Sequence, residues 1–262
     1  MQPLPAKKNG QKGMQATILG SGTGVPSLQR NAAGLLVQIE DQNLLFDTGP
    51  GILKQLLRTG LSCHDICAIF YTHFHTDHTL DLAAFLFAAK YALSLRSKEL
   101  KLIGARGLAK FYQGLLELYG EVIRPQAYAV ELKEIDQGLF SFEGFQVRAM
   151  HMQHTPQSLG YRIEAGTKSL VYSGDTDVCQ NLIKLAQRAD LLILECSFPD
   201  QMKVAGHLTA SQAGEVADQS QCGRLLLTHL YPVCQKEEIL KQVKTRFKGR
   251  VALAEDLMQL QL

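Results

Sequence analysis

The stretch Thr72–His78, THFHTDH, places four potential metal ligands, His73, His75, Asp77 and His78, within six residues. Apolar residues come directly before this stretch and predict a strand that runs into it. In an extended or turning segment His73 and His75 point the same way, whereas Asp77 and His78 diverge from them. One segment can therefore offer two ligands to each of two metal ions. The alternative, a polar loop with solvated histidines, is a poor explanation for so dense a cluster.

Three more potential ligands stand alone at the ends of predicted strands. They are His154 in MQHTPQSLGYRI (152–163), Asp175 in YSGDTD (172–177) and His229 in LLLTHLYP (225–232). Any one of them would more often be an ordinary polar residue than a ligand. Together with the first cluster they make seven ligands, which fits two four-coordinate divalent metal ions that share one carboxylate. Imidazole and carboxylate ligands suit zinc and tolerate manganese or iron.

The alternation of short apolar runs with helical periodicity indicates the fold class. Short strands mixed with helices, several hairpins and no regular βαβ period favour an α/β (α+β) fold of packed sheets flanked by helices over one doubly wound sheet. No low-complexity linker or repeat interrupts the chain, so we expect a single domain over 14–262. Residues 1–13 are polar, basic and rich in Pro and Gly, which predicts a disordered tail. The predicted strands are 14–20, 33–40, 43–49, 66–75, 101–105, 145–152, 158–165, 169–175, 191–198, 224–230 and 251–256, and the predicted helices are 51–59, 80–95, 107–120, 181–189, 210–220 and 237–247.

Composition argues against several classes of protein. The chain has 262 residues, 46% of them hydrophobic, and a net charge of +2, so its overall field gives little sign of a protein that lives on nucleic acid. Its six cysteines include no C-x-x-C pair, which is typical of reduced thiols in the cytoplasm. The longest apolar run, Leu82–Leu95, contains Lys90 and is too short for a bilayer. We therefore expect a cytoplasmic protein in which this run is a buried helix rather than a membrane span.

A series of motifs along the chain carries a resemblance to a known family. The motifs are, in order, LGSGTGVPSLQRNAAG (19–34), LLFDTGPG (44–51), THFHTDH, HTPQSLGYRI (154–163), YSGDT (172–176), LECSF (194–198), GHLTASQAG (206–214) and LLLTHLYP. This order resembles the metallo-β-lactamase superfamily, for which the H-x-H-x-D-H pattern is specific. The glycine loop and GHLTA together are similar to its ribonuclease Z branch and phosphodiesterase relatives. The resemblance covers nearly the whole chain after the tail.

The resemblance implies a four-layered αββα sandwich with two metal ions at one edge. Carried over position by position, one metal would be held by His73, His75 and His154, the other by Asp77, His78 and His229, with Asp175 as the bridge. Asp77 would thus serve as both ligand and catalytic residue. His151 competes with His154 for the third ligand, and His154 is favoured because the Thr-Pro and Gly-Tyr that follow it match the family's ligand.

A phosphodiesterase mechanism follows from this resemblance. Two cations bridged by Asp175 lower the pKa of a shared water, so that hydroxide attacks phosphorus at neutral pH. The departing alkoxide then needs a proton, for which histidinium is a suitable donor. In the ribonuclease Z branch this donor matches His207, in AGHLTASQAG (205–214), and the glutamate that orients it matches Glu195. The alternative for His207 is a loop residue in front of a helix whose N-cap is Thr209.

Three further features have two interpretations each. Asp47, in LFDTG, resembles the family's acid that orients a ligand imidazole, and is equally explained by an Asx-turn into Gly49. Asp81 stands where relatives often carry glycine and is better explained as an acid in the first turn of a helix. GSGTG (20–24) is a weak dinucleotide fingerprint and predicts instead a tight loop that lets the backbone approach the site.

The expected substrate is a phosphodiester, either an RNA 3′ end or a small (cyclic) diester. Ribonuclease Z enzymes that process tRNA commonly insert a tRNA-gripping arm between the ligands that match His154 and Asp175. Only twenty residues separate these two here, so the arm is missing. Because tRNA affinity depends on many phosphate contacts, this absence and the low net charge weaken a tRNA-processing role. Basic residues cluster in 90–110 and near 236–250, where solvated helix faces are the commoner explanation.

Two alternative functions stay open. A thioester, lactone or lactam hydrolase would keep the fold and the metals but leave Glu195 and His207 without a task. A non-hydrolytic di-iron redox protein or metal-binding module ranks lower, since oxygen-reducing relatives generally carry glutamate where this chain has His75. The apolar helix over 80–95 either packs inside or presents one face to a second subunit, which leaves a homodimer open.

Overall fold

The computed structural model describes residues 13–92 and 95–262, so the predicted tail lies outside the described residues apart from Gly13. The strands are β1 (Met14–Gly20), β2 (Gly34–Ile39), β3 (Gln42–Phe46), β4 (Ala68–Phe70), β5 (Leu100–Ala105), β6 (Val130–Ile135), β7 (Gly138–Phe142), β8 (Phe145–His151), β9 (Leu159–Ala165), β10 (Lys168–Tyr172), β11 (Leu191–Glu195), β12 (Arg224–Thr228), β13 (Arg250–Leu253) and β14 (Gln259–Gln261). The α-helices are α1 (Ile52–Arg58), α2 (Thr76–Thr79), α3 (Asp81–Tyr91), α4 (Leu108–Tyr119), α5 (Gln180–Ala186), α6 (Ala210–Ser220) and α7 (Lys236–Arg246).

Each of the two seven-stranded sheets joins an antiparallel half to a parallel half. The first sheet has the order β14-β1-β2-β3-β4-β5-β6, and its strands from β3 to β6 are parallel. The second has the order β13-β12-β11-β10-β9-β8-β7, and its strands from β10 to β13 are parallel. Helices connect the neighbouring parallel strands, so βαβ units are present where the sequence showed no regular βαβ period. Connections of unequal length hid this period.

Four layers follow from where the apolar side chains point. On β2, Leu35 and Val37 lie in the core between the sheets, whereas Leu36 lies between the first sheet and its helices. This alternation is what a strand buried on both faces requires. Helices α1, α3 and α4 cover the first sheet, and α5, α6 and α7 cover the second. The predicted αββα sandwich is confirmed.

Three strands were not predicted from the sequence. β6 and β7 alternate between half-buried and exposed residues and carry several charges or polar groups, so they lack the apolar signal of the central strands. β14 has only three residues and closes the opposite edge of the first sheet against β1. All three lie at a sheet edge, where half of the strand faces solvent.

The predicted helix over 80–95 is shorter in the structure. The helix within this range is α3, which ends at Tyr91, and residues 93 and 94 of the prediction lie outside the described residues. α3 buries Phe85 and Leu86, but Phe87 and Tyr91 are about half exposed, so of the two alternatives for this helix the structure favours the one in which one face lies outside the core. Within the described ranges, no helix combines the length and the apolar character that crossing a membrane requires.

The parallel halves of the two sheets explain where the polar residues gather. Parallel strands end at the same edge of a sheet, and a chain leaving them places its next residues there. Asp47 follows β3, and His73 lies just beyond β4, in the first sheet. Asp175 lies just beyond β10, Glu195 ends β11 and His229 follows β12 in the second. The sandwich thus brings strand exits from both sheets together.

Candidate metal centre and active site

The ligand segment Thr72–His78 crosses from strand to helix. β4 ends two residues before this segment, and the backbone stays extended at His75, which has φ of −66° and ψ of 154°. Asp77 and His78 then lie in the single turn of α2. His73 therefore comes from extended chain and the later two ligands from a helix. This change of backbone is the reason that the side chains diverge into two groups.

The first group of candidate ligands consists of His73, His75 and His154. The Nε2 atom of His154 lies 3.2 Å from Nδ1 of His75. The Nε2 atoms of His73 and His154 each lie 3.7 Å from Oδ2 of Asp175. These atoms are close enough for all four side chains to hold one ion.

The second group consists of Asp77, His78 and His229. The Nε2 atoms of the two histidines are 3.4 Å apart, and each lies 3.3 Å from Oδ1 of Asp175. Oδ2 of Asp77 lies 3.4 Å from Nε2 of His229. The two oxygens of Asp175 thus face different groups, Oδ2 the first and Oδ1 the second. That is the geometry of a bridging carboxylate.

Outer hydrogen bonds fix which ring nitrogen faces the centre. Nδ1 of His78 donates to Oδ2 of Asp47 at 2.8 Å, and Nδ1 of His229 donates to Oγ of Ser197 at 3.0 Å. In a neutral imidazole the other nitrogen then carries a lone pair. The two Nε2 lone pairs point at one another and at a carboxylate oxygen. Such an arrangement is repulsive by itself and is what a divalent cation requires.

Two buried polar atoms at the centre support the same conclusion. Within the described part of the chain, Nε2 of His73 and Oδ1 of Asp175 have no hydrogen-bond partner. Burial is the largest cause that lowers the pKa of His73 well below its ordinary value. Burial alone would raise the pKa of Asp175, but positive charge on the side of His229 and His78 outweighs it and holds that pKa well below the ordinary value, and a divalent cation between these rings would supply such charge. A neutral imidazole and an ionised carboxylate are the forms that bind divalent metals, so these residues fit such ions.

Asp47 is a fully buried carboxylate behind the second group. Besides His78, it accepts hydrogen bonds from the backbone and hydroxyl of Thr72, at 2.8 and 2.9 Å, and from the hydroxyl of Tyr172 at 3.1 Å. The N–H of Gly49 donates to a backbone carbonyl elsewhere, so the Asx-turn is not formed. Asp47 has a positive φ of 60°, as residues held at functional sites often do. Its hydrogen bond holds the ring of the candidate ligand His78 with Nε2 toward the centre.

The structure distinguishes the two histidines near the end of β8. The ring of His151 is hydrogen-bonded to Asp136, and its side chain is 40% exposed. His154 has a side chain only 8% exposed, and its Nδ1 donates to the carbonyl of Gly206 at 2.9 Å. His154 alone joins the first group. The preference for it over His151 agrees with this placement.

Two of the predicted local features meet the ligands or their helices. In the GSGTG loop, the N–H of Gly24 donates to Oδ2 of Asp77 at 3.0 Å, and a Cβ at Gly24 would lie 3.1 Å from that side chain. The loop is therefore a close backbone approach, as predicted. Asp81 lies in the first turn of α3 and accepts a hydrogen bond from the N–H of Leu53, at the start of α1.

His207 and Glu195 form a hydrogen-bonded pair beside the ligands. Nδ1 of His207 lies 3.0 Å from Oε1 of Glu195. Glu195 is fully buried and also accepts from the N–H groups of Thr176 and Leu208, at 2.7 and 3.0 Å, and from the hydroxyl of Ser197 at 2.7 Å. Four donors compensate the burial of its charge. Burial alone would lower the pKa of His207, but Glu195 outweighs it and raises that pKa above its ordinary value.

His207 reaches the ligands from one side. Its ring centroid lies 4.8 Å from that of His154 and 5.7 Å from that of His229. It falls within ligand range of Asp175 and His229, yet its Nδ1 is already engaged, which leaves Nε2 to face the site. Thr209 is the N-cap of α6, as the sequence predicted.

Ser197 is the residue that the sequence did not single out. Its hydroxyl donates to Glu195, accepts from Nδ1 of the candidate ligand His229, and lies 3.2 Å from Nδ1 of His207. It thereby connects the ligand groups with the His207 pair. The only signal in the sequence was its place two residues after Glu195, at a strand exit.

Comparison with known proteins identifies the family. A family model described as the β-lactamase superfamily domain matches residues 42–230, which is most of the chain. The chain belongs to this family. Within the β-lactamase superfamily it is 28% identical to a protein named ribonuclease Z from Archaeoglobus fulgidus, over 94% of this chain and 97% of that one. The family and branch inferred from the motifs are confirmed.

Solved structures of the superfamily agree. The metallo-β-lactamase fold protein YhfI from Bacillus subtilis superimposes with a TM-score of 0.85 and 25% identity, over 95% of this chain and all of that one. Human tRNase Z, short form, superimposes with a TM-score of 0.78 and 27% identity, over 94% of this chain and 98% of that one. The similarity extends over whole chains, so the strand exits that build the site belong to the shared fold.

Proposed function

We propose that this chain is a metal-dependent phosphodiesterase of the ribonuclease Z type. The observation that carries the proposal is the His207 ring, held by Glu195 at 3.0 Å and placed beside the carboxylate that faces both ligand groups. A thioester or lactam hydrolase gives this pair no task. The relatives named ribonuclease Z and tRNase Z support the same class of reaction.

Two divalent ions fit the seven ligands. We assign one to His73, His75 and His154, the other to Asp77, His78 and His229, and the bridging position to Asp175. When bound, such ions lower the pKa of a water at the centre and neutralise charge on the phosphate oxygens. The imidazole-rich ligand set favours zinc among the divalent metals.

The residues of the chain divide the remaining work. Asp47 and Ser197 hold the rings of His78 and His229 with Nε2 inward. His207, kept protonated by Glu195, donates the proton of Nε2 to the oxygen that leaves phosphorus. The P–O bond to the leaving alcohol breaks as the oxygen of water bonds to phosphorus. The water releases one proton to solvent and His207 later regains one from solvent, so the net products are an alcohol and a phosphomonoester.

The substrate that we propose is an RNA 3′ end or a small phosphodiester, including a cyclic one. β9 and β10 pair directly through a tight turn at 165–168, so the segment between His154 and Asp175 holds no inserted arm. A substrate that does not depend on the many contacts of a whole tRNA is consistent with this short connection.

Two properties of the whole molecule complete the proposal. We propose a cytoplasmic location, because all six cysteines are free thiols. We also propose a homodimer through α3, whose Phe87 and Tyr91 are half exposed, and which size-exclusion chromatography with light scattering would detect.

A substrate comparison tests the proposed function. The full chain, loaded with zinc or manganese, should hydrolyse bis(p-nitrophenyl) phosphate and a dinucleotide, and should leave a thioester and a lactam intact. The chelator-treated protein serves as the control and should be inactive. Turnover of the thioester without turnover of either phosphodiester would contradict the proposal.

A further inference from the structure

The turn Lys203–His207, just before α6, touches both halves of the site. The carbonyl of Gly206 accepts from Nδ1 of His154 at 2.9 Å and so holds that ring with Nε2 inward. The next residue, His207, makes the contact to Glu195. One short turn therefore positions a candidate ligand and the candidate acid at the same time.

Asp177 anchors this turn from the loop after β10. Its Oδ2 accepts from the N–H of Gly206 at 3.1 Å. Its Oδ1 accepts from the N–H of Val178 at 2.8 Å and from Nζ of Lys203 at 2.6 Å. Nζ of Lys203 also donates to the backbone carbonyl of His207. The turn is thus held by Asp177 at Gly206 and by Lys203 at the next peptide.

The conformation of Gly206 makes this anchoring necessary. Its φ is +84°, a region that glycine enters freely and other residues rarely adopt, and a Cβ there would lie 3.0 Å from Nδ1 of His154. Glycine also enters many other conformations at similar energy. The direction of its carbonyl, and so the orientation of His154, therefore depends on the hydrogen bonds that hold the neighbouring groups.

We propose that Lys203 and Asp177 are a positioning pair that fixes the Gly206 peptide and thereby aligns His154 and His207. The part that concerns His207 rests on the proposed function, whereas the part that concerns His154 rests on metal binding alone. In the described part of the chain, both side chains hydrogen-bond to backbone groups of the turn and to each other, rather than to the ring of His154 or of His207. Their side chains are 35% and 17% exposed, and a partly exposed ion pair contributes little to stability. Its effect should fall on the site rather than on folding.

Lys203→Met tests the pair in the full chain, with Lys203→Arg as the conservative variant. Lys168→Met is the control, because Lys168 pairs with Asp190 at the far end of the second sheet, 3.5 Å apart, in a partly exposed ion pair with side chains 47% and 35% exposed. Zinc affinity is measured by competition with a chromophoric chelator. Turnover is measured with two phosphodiesters, one with an alkoxide and one with a nitrophenolate leaving group.

We expect Lys203→Met to weaken zinc binding about tenfold, the lower range for residues that orient ligands. Alkoxide turnover should fall several-fold more than nitrophenolate turnover. The melting temperature of Lys203→Met should equal that of Lys168→Met. Lys203→Arg should restore both zinc affinity and the ratio of the two turnover rates. Zinc affinity and leaving-group ratio equal to wild type would overturn the proposal, as would equal losses in Lys168→Met. If the wild-type chain cleaves no phosphodiester, the proposed function fails, but zinc affinity still decides the role of the pair.

Discussion

The two sheets contribute to the site in different ways. The first sheet delivers four candidate ligands from one continuous segment, Thr72–His78. The second delivers three, each from a separate strand exit, and adds Glu195 and His207. The candidate ligands on the first side are therefore encoded locally, whereas the proposed bridge and proton donor depend on long-range packing. We therefore predict that metal binding and proton donation can be impaired separately.

Each sheet also contributes one buried carboxylate to the site, Asp47 from the first and Glu195 from the second. Asp47 lies at a strand exit of the first sheet and Glu195 at one of the second. Both are fully buried, and each accepts several hydrogen bonds. Asp47 hydrogen-bonds to the candidate ligand His78, and Glu195 hydrogen-bonds to the proposed donor His207. A buried carboxylate with several hydrogen-bond donors thus holds the ring of a candidate ligand on one side and that of the proposed acid on the other.

The largest effect is expected where the two sides meet. Asp175→Ala removes the oxygens that face both ligand groups, so stoichiometric metal binding should be lost. Turnover should fall by about 10³-fold or more, because the ions supply several kcal/mol of charge stabilisation. Elemental analysis after gel filtration measures the bound metal. Asp41→Ala, at an exposed turn, is the control, and two retained ions with normal turnover would argue against the bridge.

His207→Ala should remove proton donation and leave metal binding in place. A diester with an alkoxide leaving group should lose about 10²-fold to 10³-fold in turnover, because its departing oxygen needs a proton. A nitrophenolate leaving group needs none, so its loss should be small, and bound metal should be unchanged. His151→Ala is the matched control, since that ring bonds to Asp136 outside the ligand groups. Equal losses with both substrates would indicate binding or structure instead of acid catalysis.

Asp47→Asn and Glu195→Gln should each affect a different property, zinc affinity in the first variant and the dependence of turnover on the leaving group in the second. Asp47→Asn should weaken zinc binding by about 10-fold to 100-fold, because His78 loses the carboxylate that holds it. Glu195→Gln should leave zinc binding nearly intact and should lower alkoxide turnover more than nitrophenolate turnover, because His207 loses the carboxylate that holds it. Chelator competition and the two-substrate assay are run on both variants. If both variants lost the same property, the two sides would not be separable.

The smallest effect is expected at Tyr172, whose hydroxyl donates a hydrogen bond to Asp47. Tyr172→Phe removes one of the hydrogen bonds to Asp47 and leaves those from Thr72 and His78 in place. The free energy of unfolding should fall by about 1 kcal/mol, the usual contribution of one hydrogen bond. Urea denaturation measures it, with metal binding as the second readout. A loss of bound metal would mean that this hydroxyl also positions the ligand.

Much of the site could be predicted because its ligands follow apolar strands. THFHTDH is one dense motif, and Asp175 and His229 each end a run whose strand character is plain in the sequence. The edge strands β6 and β7 could not be predicted, since most of their residues are half-buried or exposed and several are charged or polar. The sequence also left open whether the helix over 80–95 is wholly buried, because a continuous apolar run does not tell which face the helix buries.

The family, the layered architecture and the types of the candidate ligands could be inferred from the sequence, because these depend on local patterns and on motif order. Which group each oxygen of Asp175 faces, and that His154 rather than His151 lies with the candidate ligands, followed from the packing of the two sheets. The tertiary structure also decided that Ser197, Asp177 and Lys203 hold the histidines in place. Orientation of a ring depends on hydrogen bonds from residues far away in the chain, and no local pattern encodes those contacts.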